Sequence, residues 1–126
     1  MTASSPTLKW LAIAAILTTG IIHLVEAPES FGDATYKGLL FVANGFGALV
    51  AAFGIYRDRP AIGWSLGLLV AGGALLAYVA SRTIGLPGLA AEPEAWLEPM
   101  GVASLICEGL FVILFIVRSR AATASS

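Results

Sequence analysis

Charge is what this sequence has least of. Asp, Glu, Lys and Arg make up 12% of its 126 residues, against about 25% in soluble domains. A water-soluble fold this short would lack the polar surface to cover itself, so lipid is the expected solvent for much of the chain. The one cysteine, Cys107, excludes an intrachain disulfide and a Cys-x-x-Cys redox pair. The one histidine, His23, is too few for a two-histidine di-iron site or a bis-histidine haem within a single chain. A formal net charge of −1 and the lack of a basic stripe leave no case for nucleic acid as a partner. Walker loops, dinucleotide fingerprints, hydrolase elbows and His-Glu-x-x-His patterns are all missing.

Apolar length is what the chain does have. Four stretches stand out, at about residues 8–27, 36–56, 61–80 and 97–117. Each is near the roughly 20 residues that a helix needs to cross a hydrocarbon core of about 30 Å. None alternates with period two, and lipid demands that backbone groups pair within their own segment, which favours helices. The expected fold is therefore all-α: one domain, residues 1–126, forming an antiparallel bundle of four transmembrane helices.

Helix punctuation agrees with these bounds. Ser5 before Pro6 is an N-cap followed by proline at the first helical position. Pro60 is placed to open the third helix and Pro99 to sit in the first turn of the fourth. Asp33 is expected to cap the second helix, and Pro28 to close the first by pushing Ala27 out of the α region. The small, polar tail from residue 121 onward is expected to fray. The first span reads as a retained helix and not as a signal peptide, because Pro28 directly after Ala27 suits cleavage badly.

Lysine and arginine set the expected orientation. Lys9, Arg57, Arg59, Arg118 and Arg120 fall on one side; Lys37 and Arg82 fall on the other. That bias predicts both termini in the cytoplasm of a bacterial inner membrane. Trp10, Tyr56 and Trp64 are expected as aromatic anchors at the inner boundary, and Tyr36, Tyr78 and Trp96 at the outer one. Small residues recur every four positions as Ala43, Gly47 and Ala51, and again as Gly63, Gly67 and Ala71. Such rows let helix backbones approach closely, within one chain more often than between chains.

Polar groups inside the spans are the exceptions that carry information. His23 and Glu26, three apart, share one face of the first helix, with Thr19 one turn below. On the fourth span Glu98, Gly101, Ser104 and Glu108 share a face; Asn44 lies in the second span. At about 1.5 Å per residue, His23 falls about 6 Å below the outer boundary, Asn44 about 12 Å and Glu108 about 16 Å. The groups form a ladder running inward from Glu26 and Glu98 at the rim. Glu108, near the midplane, is expected to face the bundle interior or a wet cavity. It either bonds Asn44 or Thr19 to fix packing or serves a functional role. The spacing of His23 and Glu26 also suits a carboxylate-rich metal site, so His23, Glu26, Glu98 and Glu108 are candidate ligands for a divalent ion such as zinc, manganese or iron. Beyond such an ion the cofactor stays open; a quinone or haem borrowed into the pocket belongs to the reading as an oxidoreductase component. Arg82 is placed to pair with Glu94, Glu98 or Glu29 and cover the cluster.

The stretch from His23 to Phe31, HLVEAPESF, with SRTIGLPG from Ser81 to Gly88, resembles small four-pass bacterial membrane proteins that are DoxX-like in layout. The resemblance implies the four-span plan and transfers no activity or catalytic residue. Small multidrug resistance transporters are also four-span chains with one membrane glutamate. Theirs lies in the first span, whereas Glu108 lies in the fourth, and their charge bias is weak. Three functions remain in view. The leading one is a non-enzymatic accessory subunit or sensor whose outward polar pocket binds a cation, a proton or a small ligand. The second is a proton-linked small-solute transporter acting as a homo-oligomer through Glu108. The third is a component of a larger membrane oxidoreductase complex.

Overall fold

A computed structural model describes residues 5–125 of the chain. Four helices account for most of them: α1, Pro6–Asp33; α2, Thr35–Tyr56; α3, Leu66–Arg82; and α4, Pro99–Ser125. A π turn, Ala61–Ser65, leads into α3, and a 3₁₀ turn, Pro93–Leu97, leads into α4. There is no strand among the described residues. All four helices, taking the π turn with α3, are long and apolar enough to cross a membrane.

The capping expected at Ser5 is present, with its hydroxyl accepting from the Leu8 N–H at 3.4 Å. Pro60 precedes the π turn, and Pro99 opens α4. Other boundaries differ from expectation. Helix α1 runs straight through Pro28 to Asp33. At about 1.5 Å per residue its 28 residues span about 42 Å, beyond a hydrocarbon core of about 30 Å. The last turns therefore reach the hydrated boundary, where water can serve the carbonyl that the missing proline N–H leaves unpaired. Tertiary contacts hold the segment as well: Ala27 and Ser30 are buried, and the Phe31 ring lies directly over Gly38 of α2. Asp33 does not cap α2. It ends α1 and pairs with Lys37 at 2.6 Å, while Ala34, in an extended conformation, makes the turn alone. Helix α4 does not fray at residue 121 but continues to Ser125.

The core occupies the half of the bundle nearer the termini. Leu8, Ala12 and Ile16 of α1 meet Ala48 and Ala51 of α2, Ala71 of α3 and Phe111 of α4, all at 0% exposure. Glycines set the helix spacing. The Gly20 and Gly45 backbones face each other, so that a Cβ on Gly20 would fall 2.7 Å from the Ala48 Cβ and 3.2 Å from the Gly45 carbonyl. A Cβ on Gly63 would meet the Ile55 backbone N at 2.5 Å, and one on Gly67 the Phe111 ring at 2.3 Å. Gly47, Gly63 and Gly67 of the small-residue rows thus pack within the chain, whereas Ala43 is exposed. Trp64, expected at the inner boundary, is buried within the bundle. The π turn brings it into the core against Phe111, at 5.5 Å between centroids.

Gly20→Val should force α1 and α2 apart and lower the thermal unfolding midpoint in detergent by several degrees. Gly72→Ala, with no heavy atom within 4 Å of its added Cβ, should leave the midpoint unchanged or slightly raised. Equal shifts in the two variants would contradict the proposed role of Gly20.

Candidate functional site

Above the apolar core the bundle opens. A cavity of about 460 Å³ lies between the four helices and the connection from α3 to α4. Its floor is built around one carboxyl group. Glu108, 1% exposed, receives hydrogen bonds at Oε2 from the Thr19 hydroxyl at 2.6 Å and from the Ser104 hydroxyl. The two hydroxyl oxygens stand 3.1 Å apart. His23 Nε2 approaches the same Oε2 at 3.5 Å, a contact longer than an ordinary hydrogen bond. Helical spacing explains the convergence. Thr19 and His23 are one turn apart on α1, Ser104 and Glu108 one turn apart on α4, and the two pairs face each other.

The His23 ring is held edge-on to Phe41 of α2, with centroids 5.1 Å apart. Its Nδ1 is buried without a hydrogen-bond partner. The Thr19 backbone lies near the ring but outside hydrogen-bond geometry to Nδ1. Asn44 does not reach Glu108. Its amide N–H donates to the Val70 carbonyl at 3.0 Å, tying α2 to α3, and its Oδ1 is left buried and unpaired.

A second layer lies nearer the rim. The Arg82 guanidinium stacks over Tyr78 at 3.9 Å. It donates to the Ser81 hydroxyl at 2.8 Å and to the Ala95 carbonyl at 3.2 Å, and it stands 3.8 Å from Glu98. Of the expected partners Glu94, Glu98 and Glu29, it is Glu98 that it meets. Gly101 makes room for this stack, since a Cβ there would lie 2.9 Å from Tyr78 and 3.2 Å from Arg82. Tyr78 is buried, and its hydroxyl donates to the Trp96 carbonyl at 2.9 Å. Glu26 sits within the field of Glu98, Glu29, Arg82 and Lys37.

The residues singled out from sequence therefore fall into two tiers. Thr19, His23, Ser104 and Glu108 form the inner knot; Glu26, Glu29, Arg82 and Glu98 stand at the rim; Asn44 lies in the wall. All of them line the cavity except Thr19, which sits behind Glu108. The candidate metal ligands are divided between the tiers, and among the described residues no group of three or more His, Cys, Asp and Glu is placed to hold a metal ion. Phe41, Tyr78 and Ser81 also line the cavity and were not legible as such. Tyr78 lies four residues before Arg82, the helical spacing that lets the ring support the guanidinium.

Charge is unevenly matched around this space. Six carboxyl side chains line it against two permanent cations, Lys37 and Arg82. Both cations already have acidic partners, Asp33 and Glu98. In comparisons with protein-family models, characterised proteins and solved structures, the chain matches none.

Thr19→Val and Ser104→Ala should each destabilise the bundle by about 0.5–1.5 kcal/mol, as polar contacts between membrane helices do. The double variant should cost more than the sum by at least about 0.5 kcal/mol, because losing the second donor strips the buried carboxyl of both hydroxyls. Reversible unfolding in mixed micelles measures this, and strict additivity would refute a shared acceptor.

Proposed function

We propose that this chain is a small multi-pass module of the bacterial cytoplasmic membrane, with both termini inside. It acts as an accessory subunit or sensor through an outward-facing polar pocket that binds a small, donor-rich cation. One observation carries the reading. The buried side-chain polar atoms without a hydrogen-bond partner among the described residues are His23 Nδ1, Glu26 Oε1, Asn44 Oδ1 and Arg82 Nε, and all four residues line the same cavity. Unpaired buried polar atoms are costly, and their gathering around one void points to a polar occupant. Glu26 Oε1 and Asn44 Oδ1 are acceptors, so they call for a ligand that donates. The excess of carboxyl groups over cations calls for positive charge. An ammonium-bearing solute meets both demands at Glu26 and Asn44, while the Arg82 Nε–H, a donor, calls for an acceptor such as the hydroxyl of ethanolamine.

The pocket resides in a single bundle, and its signal passes to a partner, either a larger membrane complex or a second copy of the chain. Placement of the pocket on the outer side rests on the bias of lysine and arginine toward the opposite end. A cysteine placed at Glu92 in a Cys107→Ser background should react with an impermeant maleimide in intact cells, and one placed at Arg57 should not. The reverse pattern would invert the pocket.

Ligand binding is tested by calorimetry on the detergent-purified chain, with ethanolamine and butylammonium as probes and acetate as the anionic control. The ammonium probes should bind and acetate should not. Asn44→Leu, which removes an acceptor while Glu108 keeps its hydroxyls, should weaken binding about tenfold, the loss of roughly one charge-assisted hydrogen bond. Binding that is indifferent to probe charge, or unchanged in Asn44→Leu, would overturn the ligand class.

A further inference from the structure

At the opposite end of the bundle lies a second cleft, of about 270 Å³, and its charge is reversed. Lys9 of α1, Arg59 and Asp58 of the turn between α2 and the π turn, and Arg118 of α4 line it, over a floor that includes Ile55 and Trp64. Three cations thus face one acid. Asp58 is committed, with Lys9 Nζ bonded to both of its carboxylate oxygens at 3.2 and 3.4 Å. Among the described residues no carboxylate comes within ion-pair distance of Arg59 or Arg118.

Backbone features set this arrangement. Asp58 is the only non-glycine residue with positive φ among those described, at 55°. Aspartate tolerates that left-handed conformation better than most residues, but it remains uncommon. Here it turns the chain so that Asp58 reaches back to Lys9 and Arg59 follows directly into the cleft. The π turn Ala61–Ser65 is a rare form that recurs at functional sites. It places Trp64, 6% exposed, as a floor on which the Arg118 guanidinium lies at 5.2 Å. The guanidinium is thereby positioned without a partner anion.

We infer that this cleft binds the phosphate of an anionic membrane lipid. Two arginines without acidic partners, one of them stacked on an aromatic floor, suit phosphate oxygens, which guanidinium groups bind in bidentate fashion. The volume is several times the roughly 30 Å³ share of one water, enough for a phosphodiester and its ester arm. The position argues for lipid over a free anion. Lys9 also lies over the Tyr56 ring at 5.7 Å, and Tyr56 meets Trp10 edge-on at 6.0 Å. Both rings are more than half exposed, as aromatic residues are at a membrane boundary. A phosphate in the cleft would therefore sit at headgroup level beside apolar side chains that face the acyl chains. Basic pockets between membrane helices take anionic headgroups in this way. The site is independent of the cavity at the other end of the bundle.

The test is thermal unfolding of the detergent-purified chain with added phosphatidylglycerol, phosphatidylcholine or inorganic phosphate. Phosphatidylglycerol should raise the midpoint in a saturable, salt-sensitive manner, and the other two should not. Arg59→Gln combined with Arg118→Gln should weaken the phosphatidylglycerol effect about thirtyfold, the loss expected for two surface cations at a headgroup. The charge-conserving pair Arg59→Lys and Arg118→Lys should retain preference for the anionic lipid, which separates lost charge from lost fold. Equal response to the two lipids, or a full response in the glutamine pair, would overturn the assignment. An equal shift with inorganic phosphate alone would overturn lipid as the source.

Discussion

A carboxyl group enclosed in an apolar bundle needs partners, and Glu108 finds them on another helix. Its Oε2 receives the Thr19 hydroxyl of α1 as well as the Ser104 hydroxyl of its own α4. In lipid the hydrophobic effect does not drive helices together, so packing and polar contacts decide how they meet. The Thr19–Glu108 contact fixes the height and rotation of α4 against α1. With those fixed, Phe111, one turn further along α4, fills the space that Gly67 leaves open, and the core below closes. Above, the same register leaves α1 and α4 spread around a space, and the upper polar groups line it.

The molecule is thereby polarised along its length. The end with the termini carries Lys9, Arg57, Arg59, Arg118 and Arg120 against Asp58; the other carries Lys37 and Arg82 against Glu26, Glu29, Asp33, Glu92, Glu94 and Glu98. Each end has a cleft of its own sign, and the dry core separates them. Such separation orients a chain in a membrane. The two clefts are built differently. The larger is enclosed by four helices and keeps unpaired polar atoms inside it. The smaller is open to the boundary, with arginines on its surface and an aromatic floor.

Much of the architecture was legible before the coordinates, because lipid restricts a backbone to few options. Span number, the Ser5 cap and the starts at Pro60 and Pro99 all follow from periodicity and from the cost of unpaired groups, which also narrowed the partners of Glu108 to Asn44 or Thr19, of which the structure has Thr19. The misreadings have a common cause, which is that local rules gave way to neighbours distant in sequence. Pro28 would end an isolated helix, yet here Phe31 on Gly38 keeps the chain helical beyond it. Asp33 would cap α2, but Lys37 is a better partner for a charge at the boundary. Asn44 was assigned to the deep knot from its height alone, and height says nothing about rotation; its amide faces Val70 of α3 instead. The candidate metal set failed to converge for a similar reason. His23 and Glu26 share a face, but Arg82 holds Glu98 at the rim, while Glu108 lies lower on α4.

The form of the larger cavity bears on what the chain can do with an occupant. Directly beneath Glu108 the bundle is closed by Ile16, Ala71 and Phe111, each without exposed surface. A solute entering from the rim meets a floor and no passage. To go further it would have to displace Phe111 from beside Gly67, where a single added carbon would already collide with the ring, and to part α1 from α4 across the Thr19–Glu108 bond. Transport would therefore require breaking the interaction that sets the register of the bundle. Binding requires only that an occupant supply partners to His23, Glu26 and Asn44. His23 and Glu26 sit on α1 and Asn44 on α2, so one ligand reaching them would bridge two helices, with Arg82 higher at the rim. Binding of that kind leaves the register of the bundle intact, which suits the proposed sensor or accessory subunit better than a conduit.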